Sequence, residues 1–154
     1  MSEAQRDLRI LVSTDFSPAS FKAVEVGMSL AARMGAHVTL LHAFQVPLAV
    51  FPEGSLLPSP ERVAELSDMA LVELERIAKE AGVKHPKVRS IRPVLRAGAP
   101  AEEIVAASND EQADFIVMGT HARGLLGRAL LGSVGDEVVK GAAVPVMIVR
   151  ADES

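Results

Sequence analysis

Five short apolar runs, each separated from the next by a stretch of helical periodicity, leave this chain few folds to choose from. LRILVST (Leu8 to Thr14) is too short for a helix and rich in strand formers. HVTLLHAF (His37 to Phe44), KVRSIRPVL (Lys87 to Leu95), DFIVMG (Asp114 to Gly119) and PVMIVR (Pro145 to Arg150) read the same way. Pro93 interrupts the third run and cannot donate to a ladder, so that strand belongs near a sheet edge.

The intervening segments carry helix punctuation. Ser17 is a good N-cap and Pro18 suits the first helical position. Ala23, Val24, Gly27, Leu30, Ala31 and Met34 then recur at three- and four-residue spacing, and Gly35 supplies a C-terminal stop. Ser59-Pro60 repeats the opening; Val63, Leu66, Ala70, Leu74, Ile77 and Ala81 mark the buried face, and Gly82 is expected to end that helix. Pro100 opens a shorter helix with Ile104, Val105 and Ser108 inward, and Ser133 begins a last one running to about Ala142.

Strands this apolar, alternating with helices, predict a parallel sheet covered on both faces. The expected fold class is α/β: a single domain over residues 1–154, an open doubly wound five-stranded sheet with helices on both sides. The long connection Gln45 to Ser59 is unusually apolar, and either folds over a pocket or partner or simply covers the sheet edge.

Composition narrows the function. A formal charge of −4 gives no electrostatic reason to expect a nucleic-acid or anionic-membrane partner. With no cysteine there are no disulfides, thiolate metal sites or thiol nucleophile. No signal-peptide core or membrane-length apolar run is legible, so a cytoplasmic protein is expected.

In open parallel sheets, ligands bind beyond the carboxyl ends of the strands, at the switch point. Thr14 and Asp15 follow the first strand, His42 and Ala43 close the second, and Gly119, Thr120 and His121 follow the fourth. The loop from Gly119 carries four glycines by position 132 and leads into a helix at Ser133. The unpaired N–H groups and positive dipole end of that helix suit a phosphate, with Arg123 and Arg128 adding charge nearby. Ser133 and Asp136 also have capping-box spacing, so a self-sufficient cap fits the pattern equally well. His42 reads as a satisfied core histidine, and His42, His121 and Asp15 lack metal-ligand spacing.

ILVSTDFS, HVTLLHAF, RAGAPAEEI and the whole segment DFIVMGTHARGLLGRALLGSVGDEVVKGAAVPVMIVR together resemble the universal stress protein family. The resemblance implies a Rossmann-like fold of the adenine nucleotide alpha hydrolase type. It also implies a stress-response regulator that binds ATP, with or without Mg, and pairs as a homodimer through the last strand, Pro145 to Arg150. ATP-binding members carry G-x2-G-x9-G-[ST]. Gly119 and the Gly132-Ser133 pair match at the right spacing, while Ala122 stands where the second glycine is expected. By position, the resemblance puts adenine and ribose contacts at Thr14, Asp15 and Ala43. Met118 and Gly119 would flank the nucleotide, and His121, Ala122, Gly132, Ser133 and Val134 would line the phosphates. Two alternatives accompany it: a family member that has lost ATP and acts as a dimeric interaction module, and a slow nucleotide hydrolase with His121 as the one general base in reach.

Overall fold

The computed structural model describes residues 5–46, 49–51, 54–56, 58–120 and 132–151. Its main sheet has five strands: β1 (Arg9–Ser13), β2 (His37–Phe44), β5 (Ser90–Ala97), β6 (Phe115–Gly119) and β7 (Val146–Val149). Every pairing is parallel and the order is β5-β2-β1-β6-β7. The sheet therefore grows outward from β1 in both directions, and the order reverses between β1 and β6. β5 is an edge strand, which is where Pro93 can sit without breaking a central ladder.

Among the described residues four helices cover the sheet: α1 (Pro18–Met34), α2 (Pro60–Lys84), α3 (Pro100–Asp110) and α4 (Ser133–Gly141). Alternation along β1 sends its side chains to two separate cores. Ile10 and Val12 join Val38, Leu40 and Val117 under Ala23, Val24 and Met28 of α1 and Leu74 and Ile77 of α2. Leu11 faces the other way, with Leu41, Ile116 and Met118, under Ile104 of α3 and Val138 of α4. Each face thus carries its own pair of helices, the doubly wound arrangement expected.

Both Ser-Pro openings cap as expected. The Ser17 side chain accepts from the Ser20 N–H and the Ser59 side chain from the Arg62 N–H, with Pro at the first turn each time. Gly35 closes α1 in the left-handed region at φ 62. The expected stop at Gly82 is wrong: α2 runs on to Lys84 and is capped at His85. Gly82 lies over Ile91 rather than at a turn. The third strand starts and ends later than its apolar run suggests. In α3, Ala101 and Ala107 are buried beside Ile104 and Ser108, while Val105 is only half-buried. The long connection after β2 contains a small antiparallel pair, β3 (Ala49–Phe51) and β4 (Gly54–Leu56), that the sequence reading missed.

Candidate functional site

At the carboxyl ends of β1, β2 and β6 the sheet opens into a cleft of about 100 Å³. Its lining includes Thr14, Asp15, Ala43, Met118, Gly119 and Val134 of the sequence-derived set. β1 and β6 are direct neighbours, so Asp15 and Gly119 meet at the reversal of strand order. Gly132 and Ser133 stand at the start of α4, next to Val134. His121 and Ala122, with Arg123 and Arg128, lie outside the described residues.

The β1–α1 turn is tied down by its own side chains. Thr14 is buried, and its Oγ1 accepts from the Phe16 N–H at 3.1 Å and lies 2.9 Å from Ser20 Oγ. The Asp15 carboxylate accepts from the Ser17 N–H at 2.9 Å, an Asx-type turn that leaves the exposed side chain at the mouth of the cleft. Asp15 therefore does serve the turn, and does so while lining the site. Thr14 commits its hydroxyl inward, its N–H to the Leu41 carbonyl and its carbonyl to His42 Nδ1.

Gly119 has a steric reason to be glycine. A Cβ built there would lie 2.9 Å from the Ala19 carbonyl oxygen and 3.2 Å from Ser20 Cα. The end of β6 thus passes against the backbone of the first turn of α1. The close approach that a glycine permits is, at this position, to a helix.

α4 begins without the serine cap that closes α1 and α2. Gly132, not Ser133, is the N-cap, in an extended conformation at φ −59 and ψ 163. The first turn closes with the Asp136 N–H donating to the Gly132 carbonyl. The expected Ser133–Asp136 capping box does not form: Ser133 is already inside the helix, and Asp136 pairs with Lys140 at 2.8 Å. Among the described residues no side chain caps this end. The N–H groups of Ser133, Val134 and Gly135 precede the first intrahelical donor, and Val134 and Gly135 line the cleft. α1 is closed by Ser17, whereas α3, like α4, has no side-chain cap; each carries acid in its first turn, Glu102 and Glu103 in α3 and Asp136 in α4. Glu103 is paired with Arg96, whose guanidinium is held still more firmly in its charged form by Asp110 and Glu103.

His42, Ser20, Ile104, Thr120 and Gly135 also line the cleft and were not assigned to it from sequence. The strand-end positions of His42 and Thr120 were visible signals; Ser20, Ile104 and Gly135 reach the cleft only through the packing of helices. His42 is not the core histidine expected: it is half-buried in the wall of the cleft, with Nδ1 hydrogen-bonded to the Thr14 carbonyl. Among the described residues no group of three His, Cys, Asp or Glu could hold a metal ion.

This cleft at the β1–β6 reversal comes with a sequence match that runs nearly the whole chain: the universal stress protein family model covers residues 8–150. The chain belongs to the universal stress protein family. It is 35% identical over 144 residues to universal stress protein MJ0531 of Methanocaldococcus jannaschii, covering 92% of this chain and 81% of that one. Against universal stress protein Rv2005c of Mycobacterium tuberculosis it is 28% identical and spans 52% of the relative's length, so some relatives are about twice as long. The solved structure of MJ0577 superposes with a TM-score of 0.71 at 27% identity, covering 96% of this chain and 98% of that one. A universal stress protein solved in complex with cAMP shares the fold, with a TM-score of 0.64 at 23% identity, covering 96% of this chain and all (100%) of that one. As in those structures, the universal stress protein fold here is a parallel sheet between two helical layers.

Proposed function

We propose that this universal stress protein holds an adenine nucleotide, ATP in the leading form, and acts as a single-domain cytoplasmic stress-response regulator read by occupancy rather than turnover. The observation that carries this is the uncapped start of α4 opening onto the same cleft as Asp15 and the end of β6. It pairs a helix N-terminus, of the kind that suits an anion, with a cleft at the strand reversal. The cAMP complex of a protein with this fold supports a nucleotide ligand. Asp15 and Ala43 would meet the nucleoside, Met118 and Gly119 its flank, and Gly132, Ser133 and Val134 the phosphates. His121 and Ala122 join them on the motif alone. Any Mg would be held largely by the phosphates, given the sparse carboxylates and imidazoles around the cleft.

Ser133→Ala tests the phosphate role. Its hydroxyl is exposed and caps nothing, so the variant should fold normally and lose roughly three- to tenfold in ATP affinity by calorimetry. Adenosine binding should not change. Equal loss for both ligands would remove Ser133 from the phosphate site. Mass spectrometry of the supernatant from freshly denatured protein tests the reading as a whole, since a stoichiometric adenine nucleotide should be released.

The second reading, a dimeric interaction module, is favoured by one feature: β7 is an edge. Carbonyls of Pro145 and Val149 accept from β6, so by alternation the N–H and C=O of Val146 and Ile148 point away from the sheet. An identical strand related by a two-fold axis would satisfy them. Ile148→Pro deletes an outward donor without touching the β6 ladder. The expected result is a folded monomer by sedimentation equilibrium from a dimeric wild type; a folded variant that remains dimeric would move the interface elsewhere.

A further inference from the structure

His42 sits near the end of β2, with Nδ1 2.8 Å from the carbonyl oxygen of Thr14. A carbonyl can only accept, so Nδ1 carries the proton. In the neutral ring Nε2 is then a bare acceptor. Among the described residues that nitrogen has no hydrogen-bond partner, yet no buried side-chain N or O lacks one. Nε2 is therefore open to solvent, and His42 lines the cleft.

The ring is also held in place. It stacks on Phe16 at 4.1 Å between centroids and 27° between planes. Phe16 has φ 64, a left-handed conformation that is costly for a bulky side chain. Its N–H is tied to Thr14 Oγ1 at 3.1 Å. A strained aromatic, a buried hydroxyl and a backbone carbonyl thus fix one tautomer and one orientation of a histidine beside Asp15.

We infer that His42 is a specificity-determining residue: Nε2, fixed as an acceptor by the Thr14 carbonyl, takes a hydrogen-bond donor of the bound nucleoside, either a sugar hydroxyl or the exocyclic amine of the base. This rests on the nucleotide reading above.

The test combines a spectroscopic signature with ligand-deletion analogues. Long-range proton–nitrogen NMR of the unliganded protein should show His42 as the Nδ1–H tautomer; an Nε2–H tautomer would overturn the inference. Binding is then measured by calorimetry for wild type and His42→Asn with ATP, its two monodeoxy analogues and the triphosphate of purine riboside, which lacks the amine. Asparagine keeps a donor near Nδ1 and removes Nε2. ATP affinity should fall roughly three- to tenfold in the variant. One analogue, the one lacking the recognised donor, should bind wild type and variant equally, and its identity separates sugar from base. His42→Gln, which reaches the Nε2 position with an amide oxygen, should restore part of the discrimination. A uniform loss across all four ligands, or none, would sink the role of His42 while leaving nucleotide binding intact. Wild type that binds none of them would instead remove the nucleotide reading, and this inference with it.

Discussion

Gly119→Val should lower stability by about 3 kcal/mol or more, since the added carbons meet backbone that cannot rotate away. The nearest atoms are the Ala19 carbonyl oxygen at 2.9 Å and its carbon at 3.1 Å, both in the first turn of α1. Relief requires moving that turn or the end of β6. Either movement disturbs the turn from Thr14 to Ser17, whose hydrogen bonds shape the cleft. For a chain of this size the melting temperature should fall by on the order of 10 °C. Thermal unfolding without ligand is the deciding measurement. A glycine retained only to admit a phosphate would leave apo stability within about 0.5 kcal/mol of wild type.

Leu40→Ala should cost about 2–5 kcal/mol, through lost transfer energy and the cavity left behind. Leu40 is fully buried on β2, and α1 and α2 both supply residues to the core that it belongs to. Relaxation would have to draw two helices toward a strand held by β1 on one side and β5 on the other, so the cavity should close poorly. Urea denaturation should show a lower midpoint with the slope unchanged. Val83→Ala, at a position 79% exposed on α2, is the control and should shift stability by less than about 0.5 kcal/mol. Similar losses for both variants would contradict the assignment of this core.

Where local chemistry decides a feature, the sequence was enough. Ser17-Pro18 and Ser59-Pro60 fix helix starts by a hydroxyl cap and a preset φ, and His37–Phe44 has the bounds read from its apolar run. Glycine misled where its reason was not local. Gly82 reads as a stop, but no left-handed turn is required there and the helix continues. The start of α4 misled in the other direction. A serine with an acidic residue three positions on has the spacing of a reciprocal cap, but Gly132 takes the cap position and Ser133 is already the first helical residue. The β3–β4 pair was hidden in an apolar connection with no strand-length alternation. At the site, strand-end logic found Thr14, Asp15, Ala43 and Gly119, because the reversal of strand order follows from topology. Ser20, Ile104 and Gly135 were invisible, because only helix packing brings them to the cleft.

The central position of β1 also dictates an order of assembly. Ile10 pairs with Val38 on one side and with Phe115 on the other. The first contact closes a short loop, and the second must wait for most of the chain. A nascent chain that has emerged only through β5 can stack β5, β2 and β1 under α1 and α2. It still presents β1 as an open edge along the buried run Ile10 to Val12. Growing polypeptides on neighbouring ribosomes would meet that edge before β6 arrives to cover it, so this half-built sheet is the stage at which misassembly and chaperone capture are concentrated.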